Sequence, residues 1–315
     1  MNAVLAKQAG SMIVIGGPGS GKTLLLRHFR AEAERNGMLA AYARVEKGEN
    51  LQEVVRKAYL GIAQPGEEPP WSRTRKTARE TEKPDSVEKL IAAAKTAGRK
   101  HFGAIIFLDD IDRMRKAEEG FSLITKLARE IGMNEQVGFV VSSTRELMAE
   151  GITAINLKPF ELHEAKELVE KALKKGPPRM GEECLNSIMA DSKGNPRIIK
   201  TVCWYIYDAL KENEKVISKG HYLANLPSIM GMLSRDWFDR LYQETPAAER
   251  EILAALSKSE DGMHVSDVAK KLGKKLGPTT ALIGRLLESG QIVKPDRGRY
   301  RIFARIYARY VGQRS

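Results

Sequence analysis

Apolar residues recur along the first half of the chain with two periods that take turns. Residues 11–15 (SMIVI) form a short apolar run closed by glycine, the pattern of a buried strand. Over 24–35, Leu24, Leu25, Phe29 and Ala33 fall near helical spacing and predict a helix. The alternation continues with a strand at 39–45, helices at 50–62 and 87–97, and a strand at 104–108. A helix through 121–131 and strands at 137–141 and 154–157 complete it. Repeated strand–helix alternation argues for a parallel sheet flanked by helices, an α/β architecture.

From Pro159 onward the pattern is helical, with helices expected at 158–175, 182–191 and 198–211, the last opened by GNPR at 194–197. The last ~85 residues read as a separate unit. Trp237, Phe238, Leu241 and Tyr242 stand at helical spacing and read as core. Helices follow over 247–257, from His264 through HVSDVAKKLG, and over 279–289. Residues 291–293 and 299–303 alternate as two strands around Pro295 to Gly298. Three helices and a hairpin describe a winged helix-turn-helix. The expected organisation is a core at 1–157, a helical lid at 158–228 and a winged-helix domain at 229–315. Residues 64–86 interrupt the pattern with four prolines, mixed charge and little apolar content, so an ill-ordered insertion is expected there. Trp71 within it would either pin the loop to the body or meet a partner.

The turn after the first strand reads GGPGSGKT at 16–23 and fits the phosphate-loop pattern G-x-x-x-x-G-K-[ST]. Glycines let successive backbone amides turn around a phosphate with no Cβ in the way. Gly17, Pro18, Gly19, Ser20, Gly21, Lys22, Thr23 and Leu24 would cradle ATP or GTP. Lys22 would bring its charge to the β- and γ-phosphates and Thr23 its hydroxyl to Mg²⁺. The strand AIIFL ends in Asp109 and Asp110, at the edge where ligands bind in open α/β sheets. Asp109 would hold the metal opposite Thr23, and Asp110 stands where a general base polarises water. Asp112 reads as a helix-start residue. Ser142, Ser143, Thr144 and Arg145 end the next strand and fit either γ-phosphate contact or turn chemistry. Arg197, at a helix start, fits either a γ-phosphate contact or a surface arginine.

Charge adds a partner. The net charge is +12, and 257–315 carries 13 Lys plus Arg against 5 Asp plus Glu, a surplus of 8. This favours a polyanion such as double-stranded DNA, with a solvated basic face as the plainer reading. The third helix would read the major groove through Thr279, Thr280 and Arg285, and the wing would offer Lys294, Arg297 and Arg299 to phosphates. Winged helices also serve as protein-docking modules. Cys184 and Cys203 lie far apart without metal-ligand spacing and read as buried apolar side chains. No secretion signal and no membrane-spanning run is read, so a cytoplasmic protein is expected.

Walker A (GGPGSGKT), Walker B (IIFLDD), the strand end SSTR, GNPR and a terminal winged helix occur in one order, from about Ser11 to Tyr310. This order resembles the AAA+ ATPases of the origin-recognition, replication-initiator type, and equally relatives grading into the signal-transduction STAND ATPases. The resemblance implies an ATP-hydrolysing P-loop core of the AAA+ (ASCE) class and a lid, with Mg²⁺ as cofactor and homo-oligomers as an option. It implies phosphate and magnesium contacts for Lys22 and Thr23, and a Walker B metal ligand in Asp109. Ser143 or Thr144 would be sensor 1, followed by Arg145, and Arg197 would be the sensor 2 arginine. Asp110 stands where the family usually has glutamate, one methylene longer, which points to slow hydrolysis. About ten residues precede Ser11, fewer than the family's adenine-holding segment. The output is either DNA contact or, as in STAND proteins, a protein contact.

Overall fold

The structure, a computed structural model, describes residues 11–63, 86–131, 136–146, 150–173, 177–211 and 213–314. The insertion expected at 64–86, with Trp71, falls outside them but for Ser86, as do Lys174 and Lys175 of the expected helix at 158–175. Two compact units make up the chain. One runs to Gly16 and resumes over 21–157, and the other joins Gly17–Ser20 to 158–315.

The first unit is a five-stranded parallel sheet. Its strands are β1 (Met12–Gly16), β2 (Leu39–Arg44), β3 (Ala104–Asp109), β4 (Val137–Ser143) and β5 (Thr153–Leu157), in the order β2-β3-β4-β1-β5. Every residue of β1, β3 and β4 is buried, which is why these strands read as unbroken apolar runs rather than alternating ones. β5 is an edge and is half exposed. Helices α1 (Lys22–Arg35), α2 (Leu51–Ala63), α3 (Val87–Lys100) and α4 (Ala117–Ile131) connect the strands. One apolar layer gathers Ile106, Leu108, Phe139 and Val141 with Leu90 and Leu127. Another gathers Val14, Phe107 and Val140 with Leu26. Strand β4 lies between the phosphate-loop strand β1 and the Walker B strand β3, with Ile15 opposite Ser143 and Leu108 opposite Val141.

The second unit is mostly helical. It begins with α5 (Leu162–Ala172), α6 (Glu182–Ser192), α7 (Pro196–Asp208) and α8 (Lys219–Leu233). A π-helical turn at Ser234–Phe238 carries α8 on into α9 (Asp239–Gln243). Then come α10 (Ala247–Leu256), α11 (Val265–Leu272), α12 (Leu276–Glu288) and α13 (Arg305–Arg314). Two short strands, β6 (Arg179–Met180) and β7 (Val216–Ile217), pair in parallel where only helix was expected. Strands β8 (Met263–His264), β9 (Ile292–Val293) and β10 (Arg299–Ile302) form an antiparallel sheet in the order β8-β10-β9.

The last ~85 residues do not have a core of their own. One apolar cluster joins Ile198, Tyr222 and Ile229 to Phe238, Leu253, Leu286 and Tyr307. The cause is the continuous helical run from 219 to 243, which crosses position 228 and delivers Trp237 and Phe238 into the shared core. Trp237 and Phe238 are buried as expected, with Leu241 and Tyr242 packed beside them. Phe238 lies 4.9 Å from the ring of Tyr307.

Candidate functional site

The phosphate loop leaves β1 at its C-terminal end, and Gly19 and Gly21 take φ of +75° and +101°. At both, an L side chain would be strained. Ideal Cβ atoms at Gly17 and Gly21 would meet nothing within 4 Å, so the loop faces open space there. Helix α1 starts at Lys22 with no side chain capping its first turn, which leaves amides of the kind that bind anions. The hydroxyl of Ser20 is buried and has no hydrogen-bond partner among the described residues. Open space at Gly17 and Gly21, the uncapped helix start and the orphaned hydroxyl fit a phosphate chain, while Gly19 is packed against Trp237, Asn195 and Arg197.

Lys22 is buried, and its Nζ donates to the carbonyl of Gly16 at 2.6 Å and to Thr144 Oγ1 at 3.4 Å. Burial lowers its pKa, opposed by the charges of Asp110, Asp112 and Asp109. Thr144 is thus beside Lys22, and the amide of Thr144 donates to Asp112 Oδ1 at 3.1 Å. Asp112, read as a helix-start residue, does sit in a short 3₁₀ turn (Ile111–Arg113), and it also ties the end of β4 to the end of β3. Ser143 is buried and its hydroxyl accepts from the Arg145 amide at 3.0 Å.

Asp109 is fully buried. Its Oδ2 accepts from the hydroxyl of Tyr42 at 2.7 Å and its Oδ1 from Ser142. The same Ser142 hydroxyl accepts from the Asp110 amide at 2.8 Å. Asp110 adopts φ +60°, a left-handed conformation that non-glycine residues rarely hold, and pairs with Arg44 Nη2 at 3.3 Å. Burial and the neighbouring Asp109 raise the Asp110 pKa, against the pull of Lys22 and Arg44. Burial works against the charge of Arg44, but Asp110 and Asp109 outweigh it and raise its pKa. Thr23 is half-buried and Leu24 is exposed, both in the first turn of α1.

Three groups of this constellation escaped the sequence reading: Tyr42, Arg44 and Ser142 as partners of the acidic pair. Arg44 was the legible one, a charge at the C-terminal end of an otherwise apolar strand. Its register opposite Asp109 is visible only in three dimensions.

In the second unit, Asn195 caps α7 and its Nδ2 donates to the carbonyl of Pro18 at 2.8 Å. The amide of Arg197 donates to Gly19 at 3.3 Å. The Arg197 guanidinium lies 4.7 Å from the Trp237 ring and donates to the carbonyl of Asp236.

The residues expected to meet DNA divide. Thr279 is fully buried, so the expectation that it is exposed on α12 is corrected. It shares the inward face with Leu282, Ile283 and Leu286, at i+3, i+4 and i+7, and bonds the carbonyl of Lys275. Thr280 is exposed but spends its hydroxyl on Leu276. Arg285 is exposed and pairs at 3.1 Å with the nearly buried Glu249. Lys294, Arg297 and Arg299 are exposed at the β9–β10 turn, Lys294 lying over the Tyr300 ring.

Residues 1–141 match the model of the AAA ATPase domain. Residues 1–141 are therefore similar to an AAA ATPase domain. Residues 235–311 match a domain of unknown function. Among solved structures, the chain is similar to the Walker-type ATPase paby2304 of Pyrococcus abyssi, at 15% identity and TM-score 0.67. That match covers 95% of this chain and 90% of the other. It is also similar to the Orc1 protein of Aeropyrum pernix, solved in complex with DNA, at 18% identity and TM-score 0.51, covering 100% and 89%. A STAND protein of Pyrococcus horikoshii with a tetratricopeptide repeat sensor aligns at 17% identity over 100% of this chain and 41% of its own. Its TM-score, 0.45, is too slight to carry an argument. The likenesses to the Walker-type ATPase and to Orc1 show a shared fold. No curated protein matches the chain. Among the described residues no helix is long and apolar enough to cross a membrane.

Proposed function

We propose that this AAA ATPase is an ATP-hydrolysing switch whose C-terminal module contacts double-stranded DNA. The observation that carries the nucleotide half is the buried Lys22, held between the Gly16 carbonyl and Thr144 and facing three carboxylates. A lysine so enclosed at the start of an uncapped helix is arranged for a polyanion. Residues 17–24 would hold the triphosphate, and Thr23 and Asp109 would hold Mg²⁺, with Tyr42 and Ser142 fixing the carboxylate. Magnesium supplies charge neutralisation across the phosphates when bound. Asp110, its pKa raised by burial and Asp109, is the residue suited to orient or deprotonate water. Arg44 orients it. Thr144 acts as the strand-end sensor, with Arg145 beside it. Arg197 would be the sensor 2 arginine of this reading.

The DNA half rests on Lys294, Arg297 and Arg299, exposed on a turn between antiparallel strands next to a three-helix array. We read β8–β10 with α10–α12 as a winged helix, the core as 1–157, and 158–228 and 229–315 as lid and winged-helix segments sharing one interior. The two free cysteines accord with a cytoplasmic location. Measuring ATP turnover with and without mixed-sequence duplex DNA tests the coupling: stimulation supports it, and indifference removes the DNA switch. Protein contact, the STAND-like alternative, is favoured by one feature, the exposed Trp204 and Tyr207 on α7 with Leu223 on α8. In that case the same assay stays flat, and homo-oligomers or another protein would change turnover instead.

A further inference from the structure

Four cations, none of them among those expected to touch DNA, meet in a recess of the C-terminal unit. Lys193 follows α6, Arg301 lies on β10, and Arg305 and Arg309 stand one turn apart on α13. Two carboxylates answer them. Arg305 pairs with Glu260 at 2.6 Å and Arg309 with Asp191 at 2.8 Å. Asp191 is further committed to the hydroxyl of Tyr222 at 2.6 Å. The Nε of Arg305 is buried and donates to nothing among the described residues. Among the described residues Arg301 hydrogen-bonds only the carbonyl of its neighbour Ile302, at 3.4 Å, and feels the charge of Asp296.

The four cations outnumber the two carboxylates bonded to them, with Asp296 acting on Arg301 from outside the recess lining, and the recess also holds an orphaned guanidinium N–H. Burial lowers the pKa of Lys193, helped by the like charges of Arg301 and Arg305. Burial likewise lowers that of Arg301. Lys193 also takes φ +50°, at a helix end where glycine ordinarily stands. A long cationic side chain is kept at a strained position and aimed among other cations. Unfilled, such an arrangement opposes folding. An anion accepting several N–H groups at once reverses the sign, and guanidinium forks match the oxygens of phosphate.

We propose that Lys193, Arg301, Arg305 and Arg309 form a second anion site that takes a phosphate group, separate from the phosphate loop. The phosphate comes either from a small anion or from a nucleic-acid backbone. The Nε–H of Arg305 is the direct reporter. Its ¹⁵N–¹H signal, assigned with Arg305→Lys, is followed in the full chain during separate titrations with pyrophosphate and with mixed-sequence duplex DNA. A saturable shift with pyrophosphate identifies a small-anion site. A shift with DNA alone, with a reduced salt dependence of DNA affinity in Arg301→Gln, identifies a backbone phosphate. In either case Lys193→Gln with Arg301→Gln weakens binding by about tenfold or more. Should that double variant not fold, Arg301→Lys, which keeps the charge but not the fork, takes its place. The proposal is overturned if Arg305 responds to neither titrant, or if its response survives the substitutions unchanged.

Discussion

At the C-terminal edge of the five-stranded sheet, charged groups are buried and bonded to one another, whereas at the β9–β10 turn they stand in water. Lys22, Asp109 and Asp110 share Thr144, Ser142 and Arg44 among them, so each holds its neighbour's position. Lys294, Arg297 and Arg299 are exposed and lie along one short turn. In a low-dielectric, hydrogen-bonded cluster, removing one member leaves others unpaired, and losses are large and non-additive. Exposed charges act through screened fields and add nearly independently. The first arrangement suits chemistry on one ligand held in one geometry, and the second suits adhesion to a repeating polyanion.

The sharpest way to break this contrast is Lys22→Ala. Loss of a buried, converging cation should lower ATP turnover by about 10²-fold or more. Circular dichroism should meanwhile find the fold intact, since the lysine's charge is itself disfavoured by burial. Next in size is charge reversal of Lys294, Arg297 and Arg299 together. DNA affinity should fall on all sequences, and the slope of log affinity against log salt should flatten by about three. An unchanged slope would mean that the turn does not touch phosphates.

The same contrast explains which features were legible beforehand. The strands and the phosphate loop could be read because central parallel strands are unbroken apolar runs, and GGPGSGKT is local. Thr279 was misjudged because polarity was weighed above position, although its spacing to Leu282, Ile283 and Leu286 puts it inside. The helix at 219–233 went unread because Pro227 lies within it. The helix at 305–314 hid behind its arginines, although Ile306, Tyr307, Tyr310 and Val311 mark its buried face. Tyr42, Arg44 and Ser142 join the acidic pair only through strand register, which no local pattern encodes.

Smaller effects sharpen the buried side. Ser142→Ala removes a hydroxyl serving both Asp109 and Asp110, and urea denaturation should register a loss of about 1–3 kcal/mol. Asp110→Asn probes linkage. With a raised folded-state pKa, Asp110 binds its proton more tightly in the fold than in the unfolded chain. Wild-type stability therefore falls as pH rises from the ordinary aspartate value through the raised one. The asparagine variant should lack that fall, gaining thermal stability over wild type at neutral pH and matching it in acid. Equal pH profiles would remove the assigned shift. Thr280→Ala, on the exposed side, should change stability by less than about 0.5 kcal/mol.

Titrating the wild-type chain with ATP in the presence and absence of magnesium tests the nucleotide site most directly. Saturable binding that magnesium tightens, and that Lys22→Ala abolishes, is the predicted result. Absence of binding, or equal affinity in the variant, would contradict the assignment of the loop at residues 16–23.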